Sequence, residues 1–102
     1  MQNAYMVECE LQSAFNEEFR LLVPRQDYVI NQLMKSGIVL NYSLSMDRAK
    51  LWIVISAESE FKVLEILSNM PLIEFMIPSI SPLLFFNPAR PNTEESLQFS
   101  LN

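Results

Sequence analysis

The fold of this chain is decided by residues 38–56, IVLNYSLSMDRAKLWIVIS. Apolar and polar side chains alternate over 38–46, and residues 51–56 form a strongly apolar run that is rich in β-branched side chains. The polar residues 47–50 separate these two runs, which is typical of a β-hairpin. With the turn centred on residues 48 and 49, Trp52 is predicted to pair with Ser45, and Val54 with Ser43. The side of the hairpin that carries the serines then comprises Val39, Asn41, Ser43, Ser45, Trp52 and Val54.

The residues before the hairpin predict a helical region with one apolar stripe. Ser13 can cap its first turn. The apolar side chains that recur at helical spacing are Phe15, Phe19, Leu22, Val29, Ile30 and Leu33. Pro24 lacks a backbone donor and clashes with the preceding turn, so we expect a kink, or two helices over 14–22 and 25–36. Gly37 is expected to end this region in the left-handed conformation.

The residues after the hairpin predict a second helix and a last extended segment. Ser59 is expected to cap a helix over 60–70, which Pro71 ends. The apolar side of this helix is predicted to be Phe61, Leu64, Leu67 and Met70, flanked by Val63 and Ile66. The extended segment is expected to run over 73–86. Pro78 and Pro82 cannot donate to a sheet ladder, so this segment is predicted to be an edge strand or to contain a bulge.

The order of the predicted elements indicates the fold class. Alternation over 5–11 predicts a first strand, with Glu8 and Glu10 on one face and Cys9 on the other. The order β-α-β-β-α-β is that of a ferredoxin-like α+β protomer, an antiparallel four-stranded sheet with both helices on one face. The other face is predicted to carry the apolar side chains of Met6, Val39, Trp52 and Val54. Because these would otherwise be wet, we expect a second copy to cover them in a dimeric α+β barrel.

The chain is predicted to divide into one domain and a tail. Residues 1–87 hold every predicted element of the ferredoxin-like domain, and residues 88–102 form a C-terminal tail that is rich in proline and polar residues. Alternation of Leu97, Phe99 and Leu101 suits a short strand that docks on a neighbouring copy. Solvent exposure of a disordered tail is the alternative.

Composition and charge exclude several classes of function. The chain has 102 residues and no histidine, so histidine metal sites and imidazole bases are excluded. The net charge of −5 disfavours nucleic acids and anionic membranes as partners. The single cysteine, Cys9, cannot form a disulfide within the chain. With no signal peptide and no apolar run long enough to span a bilayer, a cytoplasmic protein is expected.

Four stretches of the chain resemble the muconolactone isomerase-like family of dimeric α+β barrel proteins. They are residues 21–26 (LLVPRQ), 42–52 (YSLSMDRAKLW), 70–76 (MPLIEFM) and 80–83 (ISPL), within a similarity that covers about residues 5–87. The resemblance implies a ferredoxin-like protomer in a homodimer or a larger ring. It also implies an isomerase that moves a double bond within a lactone by proton transfer, with no metal or cofactor. It assigns no catalytic residue.

Glu8 and Glu10 are the candidate catalytic residues, because they project from the first strand towards the face that would line the barrel. A carboxylate in a partly dry cavity has a raised pKa and can act as a general base on an acidic C–H bond. The alternative is that one or both lie at the barrel rim, where they are solvated or paired with Arg48 or Lys50.

A patch of small polar residues and one indole is the candidate substrate-binding site on the same face. Its members are Asn41, Ser43, Ser45 and Trp52. Such a patch could bind a small planar acid or polarise a carbonyl, and it could equally be a hydrogen-bonded dimer interface. Two functions therefore stay open. One is a cofactor-independent isomerase or related lyase acting on a small lactone or oxo-acid. The other is a non-catalytic dimeric module that binds a small ligand or only assembles.

Overall fold

The computed structural model of the chain describes residues 2–12 and 16–87, and it confirms the predicted order of elements. The strands are β1 (Asn3–Leu11), β2 (Val39–Leu44), β3 (Lys50–Ala57) and β4 (Met76–Pro82), and the helices are α1 (Glu17–Lys35) and α2 (Glu60–Ser68). The strands form one antiparallel sheet in the order β2-β3-β1-β4, which is the arrangement of the ferredoxin-like fold. The predicted cap Ser13, Phe15 and the tail 88–102 lie outside the described residues.

The register of the hairpin differs from the predicted one by two residues. Trp52 pairs with Ser43 rather than Ser45, and Val54 pairs with Asn41. The turn forms earlier in the chain because the side chain of Asp47 accepts hydrogen bonds from the Ser45 hydroxyl (2.6 Å) and the Ala49 N–H (2.9 Å). Since a shift of two residues preserves the faces of a strand, Trp52 and Val54 still lie on the side of Asn41 and Ser43.

Val39 lies on the other side of the sheet from the one predicted. An irregularity between Val39 and Asn41 pairs Val39 with Ile55, and Val39 is only 2% exposed in the core. One extra residue in β2 is enough to reverse the alternation at its beginning, as a β-bulge does.

Helix α1 is continuous through Pro24, so of the two predicted alternatives, a kink or two separate helices, the second is wrong. Asn16 caps the helix by accepting a hydrogen bond from the Phe19 N–H at 2.8 Å. Pro24 and Arg20 are both exposed, so water can solvate the Arg20 carbonyl that Pro24 leaves without a donor. Buried side chains on both sides of Pro24 pack into one core, which holds the two halves in line. Gly37 ends the helix with a φ of 80°, as predicted.

The second helix begins as predicted, but only part of its predicted apolar side is buried. Ser59 caps it by accepting from the Lys62 N–H at 3.1 Å. From this start, Val63, Leu67 and Met70 face the sheet, whereas Phe61 is 74% exposed and Leu64 is 48% exposed. The predicted extended segment over 73–86 is also shorter. Its first residues form the 3-10 turn Ile73–Phe75, and β4 begins at Met76.

Within the described residues, both helices cover the same face of the sheet. The core joins Phe19, Ile30, Val63 and Leu67 of the helices to alternating residues of the strands. Strand β4 lies at one edge of the sheet, which confirms the place predicted for Pro78 and Pro82. We call the uncovered side the open face. It carries Met6, Glu8, Glu10, Asn41, Ser43, Lys50, Trp52, Val54, Ile77, Ser79 and Ser81.

Pro24→Ala is expected to stabilise the chain, because alanine restores the backbone donor to the Arg20 carbonyl within a continuous helix. The expected gain in the free energy of unfolding is about 1–3 kcal/mol, measured by urea denaturation. Arg25→Ala is the control, since it changes an exposed neighbour without changing backbone donors. A loss of stability in Pro24→Ala would contradict the continuous helix.

Candidate functional site

One row of side chains crosses all four strands at the middle of the open face. Ser43 in β2 is paired with Trp52 in β3, Trp52 with Glu8 in β1, and Glu8 with Ser79 in β4. Residues that are directly paired across an antiparallel ladder project from the same side of a sheet. The register therefore brings together three residues predicted for the site, and it places Glu8 on one of the two inner strands of the sheet.

The carboxylate of Glu8 accepts hydrogen bonds from two side chains of β3. The Trp52 indole Nε1–H donates to Glu8 Oε1 at 3.0 Å, and Lys50 Nζ donates to Glu8 Oε2 at 3.4 Å. Trp52 is directly opposite Glu8, and Lys50 is opposite Glu10 on the same face. Each carboxylate oxygen thus has its own donor, which fixes the orientation of the carboxylate in a partly exposed site.

These two donors set the charge state of Glu8. The Trp52 hydrogen bond, followed by the positive charge and hydrogen bond of Lys50, holds the pKa of Glu8 below its usual value of 4.5. The raised pKa expected from a dry cavity is therefore not found in the single chain, where little desolvation opposes the two donors. Glu8 is ionised at neutral pH, and the pairing with Lys50 is the one that the sequence left open as an alternative.

Glu10 lies on the open face as predicted, but it is not part of the Glu8 contacts. It is exposed and stands between Lys50 of β3 and Ile77 of β4 in the register. The side chain of Lys50 turns to Glu8 instead. The two predicted carboxylates therefore lie in different environments, and Glu8 is the one that the structure positions.

The predicted binding residues separate into two groups. Asn41 and Ser43 are exposed on the open face, and neither forms a side-chain hydrogen bond within residues 2–12 and 16–87. The hydroxyl of Ser45 is already used by the hairpin turn, since it donates to Asp47 and accepts from the Lys50 N–H at 2.9 Å. Asn41 and Ser43 are thus available to a ligand, and Ser45 has a structural role.

The open face also contains apolar and polar residues that the sequence analysis did not predict for the site. Ile77, Ser79 and Ser81 alternate with core residues along β4, a signal that was present in the sequence but hidden by the two prolines. Val54 is only 2% exposed although it does not belong to the helix-covered core, so its neighbours on the open face already shield it. Ile77 remains 44% exposed.

Cys9 faces the core from the opposite side of β1. It is fully buried, and burial raises the pKa of its thiol to about 11, which keeps the thiol protonated and unreactive at neutral pH. Cys9 is therefore a core residue and takes no part in the candidate site.

No model of a known protein family matches the chain, and no curated protein matches it. Within the described ranges, no cluster of acidic or cysteine side chains is placed to hold a metal ion. No helix in this part of the chain is long and apolar enough to cross a membrane.

Trp52→Phe is expected to raise the pKa of Glu8 towards 4.5, because it removes the N–H donor and keeps an aromatic ring. The carboxyl ¹³C chemical shift of Glu8, followed by NMR through an acid titration, measures this change. Ser79→Ala is the matched control, since Ser79 also stands opposite Glu8 but is not among its donors in the described residues. An unchanged titration in Trp52→Phe, or an equal change in Ser79→Ala, would contradict the assigned contact.

Glu8→Gln is expected to lower stability at neutral pH more than in acid. Because the pKa of Glu8 is lower in the folded chain than in the unfolded chain, its stabilising contribution is present above about pH 4.5 and is lost as the pH falls through the lowered value. Urea denaturation of the wild type and Glu8→Gln at several pH values measures the difference. A difference in stability that stays constant into strong acid would contradict this linkage.

Proposed function

We propose that two copies of the chain pack their open faces together and form a dimeric α+β barrel. The support is the apolar surface that the helices leave uncovered, which includes Trp52, Met6 and the 44%-exposed Ile77. Small polar side chains lie between them and can hydrogen-bond across such an interface. In this assembly Glu8 lies inside the barrel.

We further propose that the barrel holds a cofactor-independent isomerase in which Glu8 is the base. Its carboxylate removes a proton from the carbon beside the carbonyl of a small unsaturated lactone or oxo-acid. The electrons of the broken C–H bond pass into a dienolate, and protonated Glu8 returns the proton to the far carbon of the conjugated system. The double bond moves, Glu8 is regenerated, and no oxidant or second substrate takes part.

The observation that carries this proposal is the position of the Glu8 carboxylate between Trp52 and Lys50. The two donors keep the base ionised when the barrel closes and removes water from it. Lys50, Asn41 and Ser43 lie on the same face and supply donors for the dienolate oxygen. The resemblance to muconolactone isomerases supports the choice of a lactone or oxo-acid as the substrate.

A non-catalytic dimeric module is the second candidate function. It is favoured by the hydrogen bonds of Glu8 and Ser45, which satisfy both groups without any ligand. A carboxylate held by two donors is also a weaker base than a free one, since its pKa is lowered. In this case the Glu8 contacts serve only to satisfy polar groups inside the barrel.

The net charge and the cysteine content indicate the partners and the cellular compartment that we propose. A net charge of −5 makes nucleic acids and anionic membrane surfaces poor partners. The free thiol of Cys9 suits a reducing compartment, so we propose the cytoplasm.

Ile77→Glu is expected to convert the dimer to a monomer, because it replaces an exposed apolar side chain of the open face with a carboxylate directly opposite Glu10. Sedimentation at micromolar concentration should give twice the chain mass of 11.8 kDa for the wild type and the single mass for Ile77→Glu. Leu21→Glu is the control, since Leu21 is exposed on α1, away from the open face, and should leave the dimer intact. A wild-type chain that sediments as a monomer would contradict the barrel.

Glu8→Gln is expected to lower kcat by about 10²–10⁴-fold on any substrate that the wild type turns over. Ultraviolet absorbance during incubation with a panel of unsaturated lactones and oxo-acids detects movement of the double bond. Glu17→Gln, in the first turn of α1, is the matched control and should retain full activity. Undiminished turnover by Glu8→Gln would contradict the role of Glu8 as the base. A wild type that dimerises but turns over no compound of the panel would favour the non-catalytic dimeric module.

A further inference from the structure

A cavity of about 120 Å³ lies on the helix-covered side of the sheet, away from Glu8 and Trp52. It lies between α1 and the strands β2 and β3, and it is partly open to solvent. Its apolar lining includes Phe19, Val23, Ile30, Leu51 and Leu72. Tyr42 and Leu44 border it from β2, where Leu44 is half exposed, so the cavity can be reached from solvent.

Gln26 is the buried polar residue on the wall of this cavity. It is only 6% exposed, although glutamine normally stays in water. Its Oε1 accepts a hydrogen bond from the Leu72 N–H at 3.1 Å, which fixes the orientation of the amide. Its Nε2 donates to the sulfur of Met70 at 3.5 Å, and sulfur is a weak acceptor.

The amide of Gln26 therefore retains one donor hydrogen with no acceptor among the described residues. A primary amide carries two N–H donors, and only the contact with Met70 is present here. The Met70 sulfur is a weak acceptor and takes only one of the two N–H donors, so a molecule that supplies an oxygen acceptor at this place gains a hydrogen bond that the described residues do not make. The rest of the wall offers only apolar contact, apart from Asp27 and Tyr42 at its border.

We propose that this cavity binds a small neutral cyclic molecule whose single acceptor, such as a carbonyl oxygen, takes the free N–H of Gln26. The volume is close to the roughly 150 Å³ of an apolar protein cavity known to hold benzene, so one ring fits. The apolar lining offers no partner to a charged group, and exposed Asp27 at the border further disfavours an anion, so we expect a neutral ligand. The proposal is independent of the proposed isomerase, since the two sites lie on opposite faces of the sheet.

The test uses cyclohexanone and its hydrocarbon isostere methylenecyclohexane as probes of the full chain. Two-dimensional NMR should show saturable shifts confined to the residues around the cavity, and the side-chain amide signal of Gln26 should move with cyclohexanone. Gln26→Leu should weaken the binding of cyclohexanone about two- to tenfold, the ratio expected for one net hydrogen bond. It should leave the affinity for the hydrocarbon unchanged. An equal loss of affinity for both probes would overturn the role of Gln26.

If Gln26→Leu folds poorly, a second variant tests whether the probes bind in the cavity. Val23→Phe should fill the cavity and abolish binding of both probes, whereas Val29→Phe, on the same helix but outside the cavity lining, should bind them as the wild type does. Circular dichroism confirms that each variant is folded. No saturable shift in the wild type would overturn the proposal.

Discussion

The constraint on which this structure depends is the alternation of side chains across a sheet that is covered on one side. In the described part of the chain, both helices pack on the face that carries Val7, Cys9 and Ile53. Every second residue of the same strands must then project from the other face, whatever its polarity. The ionised Glu8 and the apolar Trp52 lie together on the open face for this reason, and in the proposed dimer a second copy covers both.

In the proposed dimer, the contacts of Glu8 stabilise a charge on a surface that the second copy covers. Covering the face removes water, which by itself favours the neutral acid, whereas the Trp52 indole and the Lys50 ammonium favour the carboxylate. The indole also contributes apolar surface, so one residue serves the interface and the base. In this account the same two side chains allow Glu8 to enter a barrel and keep it ready to accept a proton.

The local pattern of apolar and polar residues predicted most of the fold. It failed where contacts between residues distant in sequence determine the structure. The faces of the hairpin strands were predicted correctly despite the register error, because a shift of two residues preserves them. The irregularity beside Val39 leaves no trace in the alternation of apolar and polar residues, so it was not predicted. Pro24 was expected to kink the helix or to divide it in two, and packing on both sides of it keeps the helix continuous. Which cation pairs with Glu8 depended on the β1–β3 register. The buried Gln26 could not be predicted at all, since its partners Met70 and Leu72 follow it by more than forty residues.

The fluorescence of Trp52, the only tryptophan of the chain, tests the central claim most directly, because its indole lies on the open face. The emission spectrum and acrylamide quenching are measured as the protein is diluted from high micromolar to nanomolar concentration. If two open faces pack together, the emission is blue-shifted and protected from acrylamide at high concentration, and it moves to longer wavelength with stronger quenching as the dimer dissociates. Emission and quenching of a solvent-exposed indole at every concentration would contradict the claim that a second copy covers this face.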